Sequence, residues 1–221
     1  MTSRSPIGAN DRPRAILIDL DGTLADSIAV LRAAYTEFLL RHGATGSDDE
    51  FAGLNGPPLS AVVRLLKAAH GLPADESELR GSYEDIIDRI YDAVPACAGA
   101  AQLFHKARSN NCLICVVTSN SAARTRRWLT TSSLNHFVDS IVAGEDVACG
   151  KPQPDPYLLA LQRTASAPED AIAIEDSLRG AQSAVSAGLR TFVVNSGSPL
   201  TAWPPGIVAI GSLHELATRL W

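Results

Sequence analysis

From Gly99 onward, short apolar runs alternate with helix-periodic stretches, and this alternation constrains the fold more than any other feature of the chain. It predicts a helix ending near Ser109, a strand over 112–118, a helix over 121–132, a strand over 137–143 and a helix over 155–165. A strand over 171–175, a helix over 178–187, a strand over 191–195, a short strand over 207–210 and a last helix over 212–220 follow. Strands joined through helices make right-handed crossovers, so the expected class is α/β, a doubly wound, Rossmann-like and mostly parallel sheet.

One further apolar run, Ala15-Ile16-Leu17-Ile18, reads as a buried strand of the same sheet. Between it and Gly99 the periodicity is helical: Ile28, Leu31, Tyr35, Phe38 and Leu39, then Val62, Val63, Leu65 and Leu66, then Ile86, Ile87, Ile90 and Tyr91. Breaks at Gly43–Ser47, at Asn55-Gly56-Pro57-Pro58 and at Gly71–Pro73 divide this block into about four helices. The expected organisation is a flexible extension over 1–14, an α/β core over 15–25 and 95–221, and a helical cap over 26–94.

A net charge of −5 with no basic block argues against a nucleic-acid partner. Arg124, Arg126 and Arg127 are the densest basic group and read as the wet face of a helix. No stretch approaches the ~20 apolar residues that span a bilayer, so no membrane partner is expected. Residues 1–14 are polar and lack the apolar run of an export signal, which makes the expected location cytoplasmic. Cys97, Cys112, Cys115 and Cys149 suit free thiols in a reducing compartment. Cys112-x-x-Cys115 has redox or zinc spacing, but on a strand these two side chains point to opposite faces. The histidines form no ligand pattern, and no zinc is expected.

Polar groups gather at the strand ends, where open α/β sheets bind ligands. Asp19 and Asp21 follow the first strand on a Gly22-Thr23 turn. Two carboxylates so close need a cation or a shared proton, and Mg²⁺ on one with acid/base work by the other answers this; a solvated turn is the alternative. Thr118-Ser119-Asn120 makes either an anion site or a helix N-cap. Lys151, in a loop stiffened by Pro152, Pro154 and Pro156, can neutralise an aspartate and a phosphate together. Glu175-Asp176 can complete a metal shell with Asp19, or can serve a helix macrodipole.

These four motifs, in this order, resemble the haloacid dehalogenase superfamily of phosphatases with a helical cap inserted after the first motif. D-L-D-G-T-L-A-D-S matches motif one, Thr118 motif two, Lys151 in G-K-P-Q-P-D-P motif three, and E-D-S-L-R-G motif four, over about residues 15 to 220. The layout is similar to phosphoglycolate-phosphatase-like members. The resemblance implies a small phosphomonoester as substrate, Asp19 as nucleophile, Asp21 as acid and base, and Thr118, Lys151, Ser119 and Asn120 on the phosphoryl group. It implies Mg²⁺ held by Asp19, Asp176, the Asp21 carbonyl and, through water, Glu175. Gly56 in the loop Asn55–Leu59, with Arg64 and Lys67, are the polar candidates for leaving-group contacts. Asp26 and Ser27 read as caps of the first cap helix.

Dehalogenases lack the second motif-one acid, so Asp21 excludes that chemistry. A phosphomutase of the beta-phosphoglucomutase type shares all four motifs but carries a cap histidine where this chain has Ile28-Ala29-Val30-Leu31. A non-catalytic phosphate-binding module is the remaining alternative. A monomer or a homodimer suits either enzyme.

Overall fold

The strand β1 (Ala15–Ile18) is buried along its whole length, because both faces of the sheet around it are covered. The computed structural model describes residues 12–54, 56–194 and 203–221. Within these, the chain runs from β1 through four helices, α1 (Ile28–Arg41), α2 (Asp48–Gly53), α3 (Leu59–His70) and α4 (Glu76–Tyr91). It then alternates: α5 (Ala100–Ser109), β2 (Leu113–Val117), α6 (Ala122–Thr131), β3 (Ser140–Val142), α7 (Asp155–Arg163) and β4 (Ala171–Glu175). The last elements are α8 (Leu178–Ser186), β5 (Arg190–Val194), β6 (Val208–Ile210) and α9 (Leu213–Leu220).

The six strands form one sheet in the order β3-β2-β1-β4-β5-β6, and every described pairing is parallel. The chain builds outward from β1 in both directions, so the strand order reverses there and a crevice opens beyond its carboxyl end. Side chains divide by face. Ile16, Ile18, Ile114, Val116, Ile172 and Ile174 join one core cluster, while Leu17, Cys115 and Ala173, which sit in register, join another. Cys112 and Cys115 therefore occupy different faces, as their spacing predicts.

In the helical insert, α4 packs against α1 and α3, and the rings of Phe38 and Tyr83 stack at 4.6 Å with 9° between their planes. Its apolar side chains belong to the same cluster as Ile16 and Ile18, so the insert is seated on the sheet side by continuous packing. The segments leaving and re-entering the sheet run side by side: Asp26 N–H donates to the Pro95 carbonyl at 2.9 Å, and Cys97 N–H to that of Leu24 at 2.8 Å.

The strand expected over 137–143 is shorter, only Ser140–Val142. Phe137 instead closes a turn of 3-10 helix over Asn135–Phe137 and packs edge-on to Phe104, so an apolar residue serves a turn rather than a strand. Residue 195, where the sequence pattern ends another strand, and residues 1–11 of the expected extension lie outside the described residues.

Candidate active site

Asp19 continues the β1 ladder by one residue, its N–H donating to the Ile174 carbonyl at 2.9 Å, which plants its carboxylate at the reversal point of the sheet. The chain then turns sharply. Gly22 takes φ +84°, and a Cβ there would overlap the Asp176 carboxylate, so glycine is required both by the turn and by the approach of β4. A side chain at Gly180 would likewise overlap the Glu175 carboxylate, which fills the space above the start of α8.

Lys151 crosses to this point from the loop before α7. Its Nζ donates to Asp19 Oδ1 at 2.6 Å, Glu175 Oε1 at 2.5 Å and the Val117 carbonyl at 3.0 Å. Only 4% of Lys151 and 0% of Glu175 reach solvent, so the cation and the two acids hold one another's charge out of water. Burial opposes the charge on Lys151, but the two carboxylates outweigh it and raise its pKa. Burial also raises Asp19 well above the ordinary carboxylate range; Lys151 works against this, and the charges of Glu175 and Asp176 add to it.

Glu175 is saturated. Lys151 and the Tyr157 hydroxyl (2.7 Å) donate to Oε1, and the Ser177 hydroxyl (3.2 Å) and Asp176 N–H (3.3 Å) donate to Oε2. Asp19, Glu175 and Asp176 each present a ligand oxygen within 4.8 Å of the others. Such a hard, oxygen-only set suits a divalent cation such as Mg²⁺ better than a soft metal. With Glu175 so fully engaged, Asp19 and Asp176 are the better placed for direct ligation.

Asp21 has a separate set of partners. It accepts from the Ser27 hydroxyl at 2.7 Å and from the Tyr91 hydroxyl on Oδ1, and from Asn120 Nδ2 at 3.3 Å on Oδ2. Ser27 precedes α1 without capping it, because its hydroxyl serves Asp21; this corrects the reading of Ser27 as a helix cap. Thr118 extends β2, its N–H donating to the Val142 carbonyl. Its Oγ1 accepts from Asn120 N–H at 3.0 Å, so that backbone donor, expected to face a phosphoryl group, is engaged within the loop. Ser121 caps α6, accepting from Arg124 N–H.

A cavity of about 870 Å³ lies between these strand ends and the insert. Asp19, Asp21, Thr118, Ser119, Asn120, Lys151 and Asp176 line its floor, and Ile28, Leu31, Phe51, Leu59, Tyr83 and Ile87 are among its apolar walls. Gly56 and its neighbouring prolines line it too, and the Gly56 carbonyl accepts from the Ser119 hydroxyl at 2.7 Å, tying the insert's loop to the strand end.

The family model for haloacid dehalogenase-like hydrolases matches residues 16–194. The chain belongs to that family. It is 27% identical to the 6-phosphogluconate phosphatase of Escherichia coli over 82% of each chain. It is 29% identical to hexitol phosphatase A of the same organism over 84% of each. Its fold superposes with a TM-score of 0.78 on the crystal structure of CbbY from Rhodobacter sphaeroides in complex with phosphate, at 26% identity over 92% of this chain and 96% of that one. The protein is a haloacid dehalogenase-like phosphoric monoester hydrolase.

Against this family frame, the strand-end residues named from sequence (Asp19, Asp21, Thr118, Ser119, Asn120, Lys151, Glu175 and Asp176) come together, but the insert residues divide. Arg64 does not line the cavity: it is exposed on α3 and pairs with Glu76 at 3.6 Å. Lys67, on the same helix, donates to the carbonyls of Leu72 and Ala74 in the loop that follows it. Asn55 lies outside the described residues.

Arg124 overturns its reading as a wet residue. Only 7% exposed, it donates from Nε to Asp88 Oδ1 at 2.8 Å and from Nη1 to Asn120 Oδ1 at 2.7 Å. Arg126 and Arg127 are exposed as expected, and Arg127 adds bonds to Asp88 and Asp92. Sequence reasoning also missed Tyr91, Tyr157, Asp88 and Arg80. The only signal for Tyr91 was its place in an apolar periodicity, which explains its ring and not its hydroxyl.

Proposed function

We propose that this chain is a Mg²⁺-dependent phosphatase that hydrolyses a small phosphomonoester through an aspartyl-phosphate, with the insert as its cap. The observation that carries the reading is the pairing of two unlike aspartates under one cavity. Asp19 is charge-neutralised by Lys151 and, among the described residues, has no hydrogen-bond donor on Oδ2; Asp21 is held by neutral donors.

An Asp19 oxygen attacks phosphorus in line, the bond to the ester oxygen breaks, and the departing alkoxide takes a proton from Asp21. Asp21, now a carboxylate, takes a proton from water as that water attacks phosphorus and releases Asp19 and phosphate. Lys151, the Thr118 hydroxyl and the Ser119 N–H stand where charge gathers on the transferring oxygens. Asp19 and Asp176, with the Asp21 carbonyl, would hold Mg²⁺, which when bound offsets negative charge on the phosphoryl group. Glu175 and Tyr157 keep Lys151 aimed at Asp19.

The walls favour a sugar or polyol phosphate over phosphoglycolate. Of the two arginines among the described residues that line the cavity, Arg124 is committed to Asp88 at 2.8 Å and Arg80 has Glu84 3.9 Å away, so neither stands as an uncountered cation for a second anionic group. The volume also exceeds what a two-carbon acid fills. The two named relatives act on phosphorylated sugar derivatives, which agrees. Ile28 and Leu31 line the cavity, and they belong to the stretch that corresponds in sequence to the one carrying the mutase histidine, which supports hydrolysis over phosphoryl return.

Phosphate release from a panel of hexose, pentose and hexitol phosphates, 6-phosphogluconate, phosphoglycolate and nucleotides tests this. With Mg²⁺ we expect turnover led by a sugar or polyol ester, and with EDTA a fall of at least about a hundredfold. Metal-independent release overturns the cofactor assignment. Conversion of beta-glucose 1-phosphate to the 6-phosphate with a bisphosphate primer, and no release, overturns hydrolysis in favour of the mutase.

A further inference from the structure

Asp88 and Tyr91 lie three residues apart on α4 and so share one face of that helix. This face meets the strand-end crevice. Tyr91 donates to Asp21 Oδ1, while Asp88 accepts from Arg124, whose guanidinium carbon sits 6.0 Å from the centre of the Tyr91 ring.

Arg124 also decides how Asn120 is oriented. A guanidinium only donates, and both Arg124 Nη1 and Ser121 N–H point at Asn120 Oδ1, at 2.7 and 2.9 Å. The amide nitrogen must then face the Asp21 carboxylate, where it donates at 3.3 Å. Two lines of contact thus run from one face of the insert to the same carboxylate, one direct and one through Arg124 and Asn120.

We infer that Tyr91 is a positioning residue for Asp21: it fixes the carboxylate from the insert, braced by Asp88, Arg124 and Asn120. The inference rests on the acid/base role proposed above. Ser27 alone would leave the carboxylate free to rotate away from the cavity, whereas a second donor on the same oxygen and a third on the other leave one orientation. Because Tyr91 rides on α4, Asp21 is held there only while the insert is seated on the crevice.

Tyr91→Phe removes the hydroxyl and keeps the ring against Arg124, so folding and packing are retained. Pre-steady-state alcohol release would be followed with the best alkyl phosphate of the panel and with p-nitrophenyl phosphate, whose leaving group departs without a proton. On the alkyl ester we expect kcat and the release step to fall roughly ten- to a hundredfold with KM within about twofold. The p-nitrophenol release step should change by less than about threefold. A merely structural role slows both substrates alike, and that result, or an unchanged alkyl rate, overturns the assignment. Asp21→Asn is the companion variant. Loss of alkyl turnover in Asp21→Asn beside full turnover in Tyr91→Phe rejects Tyr91 and leaves the phosphatase standing, while a wild-type protein that turns over no phosphomonoester overturns both.

Discussion

Asp19→Asn is expected to lower phosphate release by roughly 10⁴-fold or more, since it removes the attacking oxygen from the first covalent step. The same change should leave the thermal midpoint at or above that of the wild-type protein. Burial raises the Asp19 pKa and the nearby Glu175 and Asp176 charges add to this, with Lys151 only partly offsetting them. The ionised nucleophile is therefore held at a cost in folded stability, and an asparagine of the same shape carries no such cost. The sign follows from linkage: an acid with a raised folded pKa contributes stability below its unfolded pKa and loses it as pH rises through the folded one. Calorimetry beside a phosphate-release assay checks both halves. A folded Asp19→Asn enzyme with wild-type turnover would sink the nucleophile assignment, and a midpoint well below wild type would show that the carboxylate supports the fold.

The strand-end chemistry was legible because three of the four motifs sit where an apolar run stops, and an apolar run is the strongest signal a parallel sheet leaves in sequence; Lys151 lies further on, in the proline-stiffened loop before α7. Asp19, Thr118 and Glu175 could be placed beside one another without coordinates, since β1, β2 and β4 had only to be neighbours. The insert gave away its helices but not its contacts. Periodicity placed Tyr91 on the apolar face of α4 and could not show that its hydroxyl passes through that face to Asp21. Arg124 looked solvated because three arginines in four residues of a helix usually are. Its buried charge is met by Asp88, a residue 36 positions earlier on α4 that reaches it only in the folded chain. Arg64 differs in the other direction: a cation near a cap loop reads as a ligand contact, but it is exposed on α3 with Glu76 beside it. Side-chain partners set by docking between elements leave no local mark.

Lys151→Met should be both inactive and markedly less stable, which separates it from the Asp19 variant. Methionine keeps the length and apolar stem of lysine but leaves Glu175 and Asp19 facing each other in the interior without their cation. Removing one partner of a buried ion cluster costs about 3–5 kcal/mol, because the charge left behind is buried without its counter-ion, and the donors that Glu175 keeps are neutral. Urea unfolding at neutral pH would read this as a lower midpoint with an unchanged slope. The deficit should also depend on pH. Lys151 is the main influence lowering the Asp19 pKa, so its loss raises that pKa further; the variant then loses stability as pH rises through the raised value and approaches the wild-type protein as the acids are protonated. Adding Glu175→Gln should recover part of the stability and none of the activity, since one orphaned charge is gone while the phosphoryl group still lacks its lysine. Equal midpoints for Lys151→Met and wild type would mean that the two carboxylates are not held as anions by this lysine, and the assignment of Lys151 as the counter-charge to Asp19 would fall with that result.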